Sequence, residues 1–147
     1  MLNWKYLTSE ANKAYSNDAF FDAIELNQQA LMQAEISFNS QFEKDPESAV
    51  AAMIVSILNL ADSFTAVGDF NATGIEYQKA INFLQTTIIR PDINEQKKDL
   101  ILRTANQVRL EWEGFNKRYK QSVSLQIRTL MKDISNAVYC PQIMVHH

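Results

Sequence analysis

Apolar residues recur at every third or fourth position through almost the whole chain, the spacing of one helix face. Phe20, Ala23, Ile24, Ala30, Leu31, Ala34, Phe38 and Phe42 form a nearly continuous stripe that only Asn27 interrupts. Asp45-Pro46 follows, a capping carboxylate ahead of a proline suited to the first helical position. Val50, Met53, Ile54, Ile57, Leu58, Ala61 and Phe64 make the next stripe, and Gly68 is placed to end it. Tyr77, Ala80, Ile81, Leu84 and Ile88 carry a fourth helix toward Pro91. Asp92 with Glu95 three residues later reads as a variant capping box. It opens a fifth helix on Ile101, Ala105, Val108, Trp112, Phe115 and Tyr119, in which Gly114 marks a kink or an early end. Val123, Ile127, Leu130, Met131 and Ile134 give a sixth, and 140–147 reads as a short tail. No stretch alternates with period two for long enough to make a strand. The pattern predicts an all-α chain of three antiparallel hairpins, at about 2–43, 46–90 and 92–136, in a single domain over 1–139.

Composition agrees. A chain of 147 residues, 46% hydrophobic and 21% charged, is long enough for one well-buried core. Three glycines and three prolines are too few for the many turns of a sandwich or barrel. The net charge of −3 is unevenly spread: residues 1–90 hold 5 basic and 11 acidic side chains, residues 91–147 hold 9 and 6. Such asymmetry fits either two solvated helical faces or partners of opposite charge at the two ends. The single cysteine, Cys140, excludes an intramolecular disulfide framework and suits a reducing compartment. Met1 to Tyr6 carries no apolar signal region. The most apolar stretch, Ala49 to Ala61, falls short of the roughly 17–25 residues that span a bilayer. A soluble, cytoplasmic protein with no membrane partner is expected.

Candidate chemistry is sparse. The only histidines, His146 and His147, stand at the chain end, which disfavours a His-dependent catalytic triad. With Cys140 they offer zinc-compatible donors but no rigid site, so no metal and no cofactor are expected. The three glycines are isolated, so there is no phosphate loop. Asp62, Glu76, Glu111 and Glu113 lie at ordinary surface spacings. No catalytic residue is assigned and no enzyme is expected. Arg103, Arg109, Lys117, Arg118, Lys120, Arg128 and Lys132 make a basic last third, interleaved with Trp112, Phe115 and Tyr119. Basic groups beside aromatics can bind single strands, but these aromatics fall on the apolar stripe and the sequence pI is about 5.4. Nucleic acid is therefore disfavoured.

Two segments repeat. Ala11, Phe20 and Ala30 correspond to Ala61, Phe70 and Ala80, each pair 50 residues apart. The second copy reads Leu60-Ala61, Phe64, Gly68-Asp69-Phe70 and Tyr77-Gln78-Lys79-Ala80-Ile81. This pattern resembles the tetratricopeptide repeat family over about two thirds of the chain. The resemblance implies a short right-handed α-solenoid of stacked hairpins. Ala11 and Ala61 would be small residues of first helices, Phe64 the large aromatic, and Phe20 and Phe70 the turn aromatics. Ala23 would be the close-contact alanine of a second helix and Ala30 and Ala80 its later alanine, with Tyr77 among the repeat's packing residues. Glu10, Asn27 and Thr73 depart from the usual residues, the 50-residue offset exceeds the typical 34, and the third hairpin matches poorly. An ordinary six-helix bundle is the alternative fold.

Members of that family hold partners in a concave groove, so the resemblance implies a non-enzymatic protein-interaction scaffold. Asn12 and Asn59 fall on positions whose amides can hold a peptide backbone, with Lys13 and Asp62 beside them. The lysine that accompanies them in carboxylate-clamp members is replaced by Thr8. A second reading is a structural homodimer formed through apolar surface at Met1, Leu2, Trp4, Tyr6 and Leu7.

Overall fold

The computed structural model describes residues 2–129. It is all-helical, and no strand occurs among the described residues. The elements are α1 (Leu2–Ser16), α2 (Phe20–Lys44), α3 (Pro46–Ala66), α4 (Phe70–Ile88), α5 (Glu95–Tyr119) and a 3-10 turn (Lys120–Ser122). Residues 125–129 are helical, where the expected sixth helix begins. Leu130, Met131, Ile134 and the tail, with Cys140, His146 and His147, lie outside the described residues. The chain divides into two compact units, 1–76 and 77–147, with the boundary inside α4.

In the first unit, α2 packs against both α1 and α3. Its buried residues are Ala23, Asn27, Ala30, Ala34, Phe38 and Phe42, the stripe read from the sequence, with Asn27 inside it rather than breaking it. Alanines at the crossings remove side-chain bulk and let the helices approach closely. Ala11, Ala23 and Ala30 are fully buried, and Ala61 is nearly so.

Two turns in this unit are built alike. After α1, Ala19 N–H donates to Ala14 O at 2.8 Å and Asp18 N–H to Tyr15 O at 3.1 Å. After α3, Asp69 N–H donates to Phe64 O at 2.9 Å and Gly68 N–H to Thr65 O at 3.0 Å. The residue in the left-handed region is Asp18 (φ 60) in one and Gly68 (φ 81) in the other. These bonds satisfy the last carbonyls of each helix. Phe20 is half-buried and meets Tyr15 edge-on at 5.1 Å; Phe64 and Phe70 are also half-buried.

A single residue joins α2 to α3. Asp45 ends one helix and caps the next, accepting from Ser48 N–H at 3.2 Å and Ser48 Oγ at 2.7 Å, with Pro46 opening α3. These two bonds favour the charged form and hold the Asp45 carboxyl below the usual carboxylate range.

α3 has 21 residues and a mean hydropathy of 1.6 over its best window, so by length and composition it could cross a membrane. The sequence stretch Ala49 to Ala61 understated it, because the helix extends beyond that stretch at both ends. However, 56% of the window is buried inside the protein, so covering several faces of a core helix accounts for its apolarity. Its hydroxyls are absorbed locally: Ser63 Oγ donates to Asn59 O at 2.9 Å and Thr65 Oγ1 to Ala61 O at 2.8 Å.

Thr73, at the start of α4, stands where an alanine was expected. It is buried, and its hydroxyl lies 2.9 Å from Thr65 Oγ1, 3.3 Å from Ala61 O and 3.2 Å from Asp69 O. The extra oxygen is thus satisfied, and the crossing stays close.

The second unit places Tyr77, Ala80, Ile81, Leu84 and Ile88 of α4 in a core with Ile101, Ala105, Val108, Trp112 and Phe115 of α5. Tyr77 meets Trp112 at 5.8 Å and Phe115 at 5.7 Å. Trp112 and Phe115 are therefore core residues, as their place on the stripe suggested. Two expectations fail here. The cap of α5 is Asn94, whose side chain accepts from Lys97 N–H at 2.8 Å. Asp92 instead takes both Arg90 Nε and Nη2 at 2.9 Å, and this guanidinium holds its carboxyl below the usual range. Gly114 does not end α5, which continues to Tyr119; the position is exposed and locally unobstructed.

Candidate functional site

The first unit carries an open groove of about 580 Å³ along one face of α1. Trp4, Thr8 and Asn12 follow one another at four-residue spacing, one turn apart on the same face. Lys5, Lys13 and Asn17 line it as well, so among the described residues its charged lining groups are two lysines.

One lining residue, Trp4, is held by a polar tie. The Trp4 indole N–H donates to Ser56 Oγ at 2.7 Å, linking α1 to α3 across 52 residues of sequence. Ser56 is fully buried. The tie consumes a donor and a hydroxyl that would otherwise be costly to bury. Thr8 Oγ1 is shielded from solvent and has no hydrogen-bond partner among the described residues. Lys13 Nζ reaches Glu10 Oε2 at 3.1 Å in an exposed pair that contributes little to stability.

Of the four residues predicted to contact a peptide, Asn12 and Lys13 line this groove. Asn59 is half-buried on α3, with its carbonyl taken by Ser63, and Asp62 is exposed on α3; neither lines the groove. Of the apolar patch expected at the N-terminus, the side chains of Met1 and Leu2 lie outside what is described; Trp4 is half-buried and bonded to Ser56, Leu7 is half-buried, and Tyr6 is largely exposed. Glu76 was read as a surface carboxylate, yet it is only 4% exposed. Among the described residues no group of three or more His, Cys, Asp or Glu is placed to hold a metal.

Sequence reasoning missed the Trp4–Ser56 tie. The available signals were a serine inside an otherwise apolar run and a tryptophan in register with Thr8 and Asn12. It also missed the outer face of α2, where Phe21, Met32 and Ile36 are exposed.

A family model described as a protein of unknown function, DUF2753, matches residues 2–146. The chain belongs to the DUF2753 family. The match spans both units of this DUF2753 chain. Searches of curated proteins and of solved structures found no match.

Proposed function

We propose that this DUF2753 chain is a non-enzymatic protein-interaction module of tetratricopeptide type, which holds a peptide or helix of a partner protein in the groove on α1. The observation that carries the reading is the groove itself, lined by Asn12 and by Trp4, which is tied to Ser56. An asparagine amide offers both a donor and an acceptor, which suits an extended backbone. The duplicated turns at Asp18 and Gly68 support a repeat architecture. On this reading the apolarity of α3 serves a soluble core, and the protein works in the cytoplasm.

The test is a pull-down with mass spectrometry, using the wild type beside an Asn12→Ala/Lys13→Ala variant, since these are the two predicted residues that line the groove. A partner retained by the wild type and lost by the variant, with melting temperatures within a degree or two, supports the groove. Identical lists for both proteins overturn it.

A further inference from the structure

α2 presents a second surface, separate from the groove. Phe21 is 76% exposed, Met32 58% and Ile36 73%. Single exposed apolar residues are ordinary, but these three share one face. At 100° per residue they fall within about 60° of arc. Glu25, Gln28, Glu35, Asn39 and Glu43 lie on or beside the same arc, and all are exposed. The face therefore mixes apolar and acidic groups: Glu25 and Glu43 lie on the same arc as Phe21, Met32 and Ile36, with Glu35 at its edge, over roughly 33 Å from Phe21 to Glu43 at 1.5 Å per residue. The only cation of α2, Lys44, is its last residue and points off that arc. None of Glu25, Glu35 and Glu43 is held by an ion pair among the described residues.

The charge of the whole unit reinforces this. Residues 1–76 hold three basic and eleven acidic side chains, a balance of −8; residues 77–147 hold eleven and six, a balance of +5. The asymmetry seen in the sequence sharpens when the chain is divided at the unit boundary.

From this we infer that the outer face of α2 is a docking surface for a basic amphipathic helix of a partner protein. Apolar residues of the partner, at every third or fourth position, pack on Phe21, Met32 and Ile36. Its lysines or arginines lie opposite Glu25, Glu35 and Glu43, where complementary charge sets orientation and speeds encounter. A second copy of the same face would set carboxylate against carboxylate, and an anionic lipid surface would be repelled. Met32 supplies an adaptable contact that tolerates variation in the partner.

The probe is a synthetic amphipathic helix with leucine on one face and lysine flanking it, and a twin with glutamate in place of lysine. Binding to the full chain is read by fluorescence anisotropy, with light scattering alongside. The lysine peptide should bind at least about tenfold more tightly than its twin, and more weakly as salt rises. Met32→Ser/Ile36→Ser should weaken it at least about tenfold. Glu25→Lys/Glu35→Lys/Glu43→Lys should reverse the preference between the two peptides. Asn12→Ala should leave binding unchanged, which separates this surface from the α1 groove. All variants lie on exposed positions and should melt with the wild type. Equal binding of both peptides, no binding of either, or indifference to the Met32/Ile36 change overturns the proposal. So does a wild-type dimer that the Met32/Ile36 change dissociates, since the occupant would then be a second copy.

Discussion

Asp18 and Gly68, fifty residues apart, occupy the same left-handed backbone position in two turns with matching hydrogen bonds. One is a glycine, which adopts that conformation freely; the other is an aspartate, one of the few side chains that tolerate it. The repeat is therefore visible in backbone geometry even where the residues differ.

That relationship predicts opposite responses. Gly68→Ala should destabilise the first unit by about 1–2 kcal/mol, since the added Cβ meets open space but the positive φ is strained. Asp18→Gly should be neutral or stabilising by up to about 1 kcal/mol. Urea titration of each variant measures both. A Gly68→Ala protein as stable as the wild type would remove the strain argument.

Ala30 and Ala80, fifty residues apart, are both fully buried. Ala30→Trp or Ala80→Trp should overpack a helix crossing and cost roughly 1–3 kcal/mol or more. Unchanged thermal melting in either variant would show that the position is not a close crossing.

The tie between Trp4 and Ser56 should be measurable as a coupling. Trp4→Phe keeps most of the ring and removes the N–H; Ser56→Ala removes the acceptor. A double-mutant cycle should give about 0.5–1.5 kcal/mol of interaction. Additive effects would mean that the hydrogen bond contributes nothing beyond packing.

Asp45 makes stability depend on acid. Its folded pKa is lowered from 3.8 by the Ser48 hydroxyl and amide. The contribution is therefore present above the unfolded value and disappears as the pH falls through the lower folded one. Asp45→Asn keeps a capping oxygen but cannot titrate there. The difference in stability between the two proteins should be flat near neutrality and change only below about pH 4. A difference that varies between pH 6 and 8 would point to another group.

Much of the helical arrangement was legible because few turns interrupt it and period 3.6 dominates. Asp45-Pro46 and Gly68 mark their boundaries by chemistry that acts locally. The failures have physical causes too. Asp92 and Asn94 are both capping residues, and only the position of Arg90 decides which one is free to cap. Glu76 and Asn27 are polar residues whose burial depends on the helices around them, which periodicity does not see. Asn12, singled out by the resemblance, lines the α1 groove, whereas the tie of Trp4 was not legible, because its partner lies in another helix. The α2 stripe was overlooked because the apolar residues facing inward on the same helix explained the pattern already.

The one-residue joint at Asp45 also constrains how the chain can vary in length. A residue inserted within α2 or α3 turns everything beyond it by about 100°, and a joint with no slack cannot absorb the rotation. The segment 89–94, between α4 and α5, can lengthen without that penalty. Insertions, tags or engineered cleavage sites should therefore be accepted there and rejected at position 45, although a chain cut at 89–94 would still have to keep its two parts together, because α4 and α5 share the second unit's core.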